Sequence, residues 1–336
     1  EGEMCIVKTG PKGTREQLES VSELFACNLG RVILQPDMVP DVSLLNLSQE
    51  GQKFAPDKGY VVSVFFPEFK ELYHSMGWKK RHRTVSKPPD GINDFIETLI
   101  NSPEGSIGKE KFIDFCQVLA YRHIVRDLDG HSANFGITYK DGHEKLVMID
   151  LGLAGKNLAS HPLKADDFTD KRVLDNVLRG EASPNHLADW RVMYEQPEFL
   201  KAAQSIREQF SSIEGQTKIK KSMHKSLKST RDEFGEQSVR QYCQEWLGVQ
   251  NIKVRDGEID ISDAVDRIFE LHKERADKLC SIITEKQSKQ QPTSKADRNQ
   301  SNWTIKVRDK TSARATKKRW VATILGQSRD NTNRIR

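Results

Sequence analysis

The run RDLDGHSANFG, Arg126 to Gly136, places two carboxylates (Asp127, Asp129), a histidine (His131) and an amide (Asn134) in a short, turn-like stretch. Further on, KLVMIDLG ends an apolar run with another acid, Asp150, followed by Leu151 and Gly152. Hard oxygen donors in this arrangement suit Mg²⁺ or Mn²⁺. Such an ion needs only one or two carboxylates and an amide oxygen from the protein when phosphate oxygens supply the rest. A carboxylate nearby can orient or deprotonate an attacking hydroxyl. An acid buried behind KLVMI without a partner would cost several kcal/mol, so a metal or a cation is expected beside Asp150.

These residues need elements to hold them. MCIVKTG reads as a strand ending at Lys8, KTGPKG as a turn, and TREQLESVSELFACNLGRVI as a helix. In that helix Leu18, Val21, Phe25 and Leu29 form the apolar stripe, and Thr14 is the N-cap with Gln17 three residues on. DVSLLNL and YVVSVFF read as two further strands. A basic linker, WKKRHRTVSKPP, then leads to two helical patterns, GINDFIETLIN and KEKFIDFCQVLAYRHIV. The acidic loop follows, then two strands, NFGITY and KLVMIDL, joined at KDGH. From about residue 185 to 286 the pattern is mostly helical, and TEKQSKQQPTSKADRNQ has linker composition. The order predicts an α+β protein: a small sheet with one helix, then a helical region enclosing a two-stranded loop region.

A net charge of +5 conceals an asymmetry, because residues 287–336 hold 13 Lys and Arg against 3 Asp. That segment carries about +10 and the rest about −5, which points to an anionic partner for the tail or to a solvated extension. No run reaches the roughly 18 apolar residues that a membrane span requires, and the start is not a signal peptide. The chain opens without Met on a strand-like run, which suggests residues upstream. Five cysteines without a CxxC pair suit small core side chains in a reducing, cytoplasm-like compartment, and not a zinc site.

Taken together, the motifs resemble the catalytic core of the protein-kinase-like superfamily. They are most similar to its atypical branches, the HipA-like kinases and the phosphoinositide 3- and 4-kinases. Asp129 to Asn134 keeps the D-x-x-x-x-N spacing, Asp129–His131 resembles the D-x-H of those branches, and Ile149–Gly152 stands where D-F-G stands. The resemblance implies a bilobed kinase-like fold with a sheet-plus-helix N-lobe (1–78), a mostly helical C-lobe (79–286) and a basic tail (287–336). It implies ATP and Mg²⁺ or Mn²⁺, with Asn134 and Asp150 as metal ligands and Asp129, assisted by His131, at the acceptor hydroxyl. Asp127 lies seven residues before Asn134 and becomes a supporting carboxylate that pairs with Arg126 or Arg122. Lys8 would hold the α/β-phosphates and Glu23, in ELFACNLG, would hold Lys8, with Glu19 the second choice. Val61–Phe66 would lead to the adenine-binding hinge. No G-x-G-x-x-G precedes Lys8 and no A-P-E follows IDLG, so the substrate-binding region differs from that of ordinary protein kinases.

The resemblance implies a protein Ser/Thr acceptor first and an inositol lipid or inositol phosphate second. A pseudokinase scaffold and an AMP transferase are readings from other classes. It also extends to bacterial effector kinases of the Legionella type, which implies action in a host cytosol. Two basic clusters stand apart: Lys79, Lys80, Arg81 and Arg83, and the helically spaced Lys218, Lys221, Lys225 and Lys228. They are either solvated faces or sites for a polyanion such as an inositol polyphosphate or a membrane phosphoinositide. Nucleic acid is disfavoured because no recognised nucleic-acid-binding motif accompanies the charge.

Overall fold

The structure, a computed structural model, describes residues 5–11, 13–45, 58–72, 91–129, 134–140, 142–165 and 191–290. Residues 1–290 form one compact unit and 291–336 a second, which lies outside the described residues. His131 and the cluster Lys79, Lys80, Arg81 and Arg83 also lie outside them.

Strand β1 (Cys5–Pro11) pairs antiparallel with β3 (Lys58–Val64), and β2 (Asp41–Leu44) pairs with the other side of β3, giving the order β1-β3-β2. The turn read at KTGPKG starts later than expected. Thr9 opposes Tyr60, Gly10 opposes Gly59 and Pro11 opposes Lys58. The proline is tolerated because β1 is an edge strand and Pro11 is its last residue.

Helix α1 (Arg15–Ile33) starts as its sequence predicts. Thr14 Oγ1 accepts the Gln17 N–H at 3.4 Å, and Gln17 Oε1 accepts the Gly13 N–H at 2.7 Å. Its expected apolar stripe is buried, but so are Ser20, Ser22, Glu23 and Cys27. The helix is therefore enclosed on several sides and is not confined to the small sheet. Its Ala26 carbonyl accepts from Tyr121 Oη at 2.5 Å and its Asn28 carbonyl from Ser222 Oγ at 3.0 Å. Gly30 is dictated by this crowding, since a Cβ there would lie 3.1 Å from Val39 Cγ1 and 3.2 Å from the Tyr121 ring.

The remaining helices are α2 (Gly91–Ile100), α3 (Ile107–Ile124), α4 (Arg191–Tyr194), α5 (Pro197–Ser211), α6 (Ile213–Phe234), α7 (Glu236–Gln241) and α8 (Ile261–Gln290). Ser106 caps α3, Ser212 caps α6, and Gly235 at φ 86° ends α6 in a conformation that glycine adopts readily. Helix α7 runs into a π-turn, Tyr242–Trp246.

The second sheet has three strands where two were expected. Strand β4 (Lys70–Glu71) adds to β5 (Phe135–Lys140), which pairs with β6 (His143–Met148). A short hairpin, β7 (Val254–Arg255) and β8 (Glu258–Ile259), interrupts the region read as helical and turns through Asp256 (φ 53°) and Gly257 (φ 85°). Helix α8 continues four residues past the expected boundary at 286. Its extension is rich in good helix formers and carries an i,i+4 pair, Glu285 with Lys289 at 2.6 Å. Cys27, Cys116, Cys243 and Cys280 are buried free thiols, as core residues should be, while Cys5 is exposed. Among the described residues no helix is long and apolar enough to cross a membrane.

Candidate active site

Lys8, Glu23 and Asp150 come from three elements and meet. Lys8 Nζ lies 2.6 Å from Glu23 Oε2 and 2.8 Å from Asp150 Oδ1. The sheet presents Lys8 from edge strand β1, and α1 places Glu23 one turn past the sequence alternative Glu19. Glu19 instead pairs with Arg15 at 2.8 Å on an exposed face. Glu23 is 2% exposed, whereas the Asp150 side chain is 45% exposed and faces the opening.

Burial opposes the charge on Lys8, but Glu23 and Asp150 overcome it and hold the ammonium well above the ordinary lysine value. Burial pushes the Glu23 carboxyl up despite Lys8. Burial also works against ionised Asp150, but Lys8 prevails and keeps it below the usual carboxylate value, so it is ionised at neutral pH. Asp150 does not sit on the strand that was to aim it. It lies two residues past β6, in the left-handed region at φ 56°. A non-glycine residue held there is a mark of local constraint and is frequent at functional sites.

The acidic loop is organised by Arg122, near the C-terminus of α3. Its Nη1 pairs with Asp127 Oδ2 and donates to the Asp129 carbonyl at 3.3 Å. Its Nη2 donates to the carbonyls of Asn134 at 3.0 Å and Ile149 at 2.8 Å. The guanidinium carbon lies 4.5 Å from the centroid of the Phe135 ring. Of the two partners left open by the sequence, Asp127 takes Arg122, and Arg126 instead donates to the Lys156 carbonyl.

Asp127 is 0% exposed, whereas Asp129 is only partly buried. Burial pushes Asp127 up to about 6 against the pull of Arg122. The Asn134 amide donates from Nδ2 to the Asp129 carbonyl at 2.6 Å, closing the loop. Its backbone carbonyl accepts the Ile149 N–H at 2.9 Å, which brings the loop beside the residue preceding Asp150.

A small cleft of about 70 Å³ opens over Lys8, Glu23 and Asp150. One part of its lining is apolar, with Ile6, Pro40, Val64, Phe65, Phe66 and Ile149. The other carries Lys8, Glu23 and Asp150. Phe65 and Phe66, which follow β3, thus border the cleft. Their route is pinned behind: Phe65 packs edge-on against Phe69 with centroids 5.0 Å apart, and Thr138 Oγ1 donates to the Pro67 carbonyl at 2.5 Å. Sequence reasoning did not assign Ile6, Pro40 or Ile149. Ile149 alone carried a signal, as the residue before the candidate metal ligand.

Among the described residues, Lys8 faces the two carboxylates of Glu23 and Asp150 in the cleft, and buried Arg122 is matched by buried Asp127. Among the described residues no cluster of three or more His, Cys, Asp or Glu could cage a metal on its own. Asp150 and the Asn134 amide oxygen are hard oxygen donors of the kind a divalent ion takes beside phosphates and water.

The lysine row on α6 is exposed, but two of its four members carry partners on their own helix. Lys218 pairs with Glu214 at 2.6 Å and Lys228 with Asp232 at 2.7 Å. Lys221 and Lys225 are exposed between them.

No protein-family model and no curated protein matches the chain. Among solved structures, a Helicobacter pylori proinflammatory kinase, CtkA, is similar over 86% of this chain and 90% of its own, with a TM-score of 0.45 and 13% identity. HipA of Shewanella oneidensis MR-1, solved as a toxin–antitoxin complex with HipB and operator DNA, is similar over 80% of this chain and 57% of its own, with a TM-score of 0.35 and 10% identity. Likeness of this degree carries nothing about activity.

Proposed function

We propose that this chain is an ATP-dependent phosphotransferase that moves the γ-phosphoryl group to an alcohol acceptor. The observation that carries the reading is the lysine of an edge strand, held between a buried glutamate and an acid 142 residues away, at the mouth of a cleft with one apolar side. In this reading the apolar side takes the adenine and the charged end takes the phosphates. Lys8, kept protonated by its two carboxylate neighbours, neutralises the α/β-phosphates. Glu23 fixes the lysine in place. Asp150 and Asn134 would hold Mg²⁺ or Mn²⁺, which supplies charge neutralisation across the phosphate oxygens when bound. Asp129 accepts a hydrogen bond from the acceptor hydroxyl and aims its oxygen at phosphorus. Most of the acceleration then comes from positioning and fixed charge.

The acceptor proposed is a protein Ser/Thr hydroxyl, following the resemblance to the HipA-like branch. The polyanion reading of the α6 lysines is kept as an accessory proposal, resting on Lys221 and Lys225. Incubation with γ-labelled and α-labelled ATP tests the reaction class. Transfer of the γ label is expected; α-label transfer would replace the reading with AMP transfer, and ATP binding with no transfer would replace it with a scaffold. Intact mass after incubation with ATP and Mn²⁺ should show added phosphate in the native chain and none in Asp150→Ala.

A further inference from the structure

We infer that Arg122 is the positioning residue of the whole site: one buried guanidinium sets the relative placement of the hydroxyl-orienting and metal-binding segments. The inference deepens the phosphotransferase reading and rests on it. Arg122 is 1% exposed and reaches no substrate. Its two terminal nitrogens engage the main chain of Asp129, Asn134 and Ile149, the last of which precedes Asp150. Asp127, the other acid of the loop, serves this fork, because its Oδ2 pairs with Arg122 while its Oδ1 accepts the Asp129 N–H at 3.2 Å. The ring of Phe135 lies against the guanidinium. A planar fork with donors in fixed directions can hold several carbonyls from separate segments at once. A lysine ammonium keeps the charge but cannot span them.

The consequence is specific to geometry. Arg122→Lys leaves Asp127 with a cation, so the charge balance of the core survives, but the carbonyls of Asp129, Asn134 and Ile149 lose their common anchor. Supporting residues of metal sites typically alter metal affinity about 10–100-fold. A displacement of an ångström between reacting groups costs about 100-fold in rate. Arg275 provides the matched comparison. It is likewise buried and donates to three carbonyls, those of His123, Ile124 and His161, none of which lines the cleft.

The test titrates Mn²⁺ by electron paramagnetic resonance on the full chain with a non-hydrolysable ATP analogue, and measures kcat beside it. Arg122→Lys is expected to weaken Mn²⁺ binding at least about 10-fold and kcat about 100-fold, with metal-free nucleotide affinity within about threefold. Arg275→Lys is expected to lower the thermal midpoint but to leave Mn²⁺ affinity and kcat within about threefold. Phe135→Leu keeps Arg122 while removing its ring contact. It should weaken Mn²⁺ in the same direction by a smaller factor, and it decides the matter if Arg122→Lys does not fold. Native-like Mn²⁺ affinity in the Arg122 or Phe135 variant, or an equal loss in Arg275→Lys, overturns the inference. Should the native chain bind Mn²⁺ and nucleotide but transfer no phosphate, the reaction reading falls while the Mn²⁺ comparison still decides the role of Arg122. Should it bind no Mn²⁺ with nucleotide, both fall.

Discussion

Asp127 and Asp129 are the same side chain two residues apart, and their surroundings give them opposite work. Asp127 is sealed against Arg122, so Asp127→Asn leaves a buried guanidinium without its counter-charge; a loss of about 3–5 kcal/mol is expected in denaturant unfolding. Asp129 is partly open, and its carbonyl accepts from that guanidinium. Asp129→Asn keeps the side-chain volume and should cost less stability than Asp127→Asn but about 10²–10⁴-fold in kcat, read as γ-label transfer with the nucleotide KM nearly unchanged. Spacing to Asn134 favoured Asp129 over Asp127, and the Asn134 amide does close the loop on the Asp129 carbonyl. Lys8 and Glu23 were legible only through the motifs downstream. Alone, each is a common surface residue, and nothing in CIVK announces a partner 142 residues away. Arg122 was named merely as one of two partners for Asp127, since a sequence cannot show that one side chain will take three carbonyls from elsewhere in the chain.

At the scale of elements, the segment after Asp150 is fastened along its length. Ser22 Oγ of α1 donates to the carbonyls of Leu151 at 3.3 Å and Ala154 at 2.6 Å, and Trp246 Nε1 of the π-turn donates to the Ala154 carbonyl at 2.8 Å. The Asn157 and Ala159 N–H groups donate to the carbonyls of Trp246 and Leu247 at 2.6 and 3.0 Å. A π-turn widens the helix and redirects its carbonyls, and such turns recur near functional sites. Trp246→Phe keeps most of the ring volume and removes the N–H. It should cost about 1 kcal/mol, because the Ala154 carbonyl loses one of two donors and keeps Ser22, and should speed amide exchange in residues 151–159 ahead of global unfolding. Helix α1 offers a plainer test: Thr14→Ala removes its N-cap and should cost about 1 kcal/mol in thermal unfolding. The strand and helix periodicities were readable because one face of each is apolar. Two features escaped for different reasons. The β7–β8 hairpin did carry its signal, the Asp256-Gly257 turn, but its strands are two residues each, too short to show alternation. The pairing of β4 with β5 is fixed by distant packing, with Phe69 lying where a side chain on Gly136 would stand, and nothing local to Lys70–Glu71 encodes it.

For the compact unit as a whole, the buried titratable groups set how stability responds to acid. Burial, with Arg275 adding to it, pushes His123 down to about 3. Burial also pushes His272 down to about 4, a hydrogen bond with the Ile268 carbonyl partly opposing it and Arg275 adding to the shift. The unfolded chain binds protons at both histidines from about pH 6.5 downward while the folded chain refuses them, so this pair lowers stability as pH falls from about 6.5 toward 4. Asp114 and Asp127 act in the opposite sense. Burial raises each to about 6, and between about pH 6 and 4 the folded chain holds protons that the unfolded carboxylates have released. These two histidines and two aspartates therefore work against one another between about pH 6 and 4. Removing one histidine should tilt the balance. His272→Gln keeps an N–H donor for the Ile268 carbonyl but deletes a group that resists protonation. At pH 7.5 the variant is expected to be less stable than the native chain, through lost packing against Phe25, whose ring centroid lies 6.4 Å from that of His272. By pH 4.5 the deficit should shrink by about 1–3 kcal/mol, since only the native chain carries the His272 penalty there. Parallel denaturant midpoints at the two pH values check it, and a deficit that stays constant or grows on acidification would show that His272 is not held neutral in the folded protein.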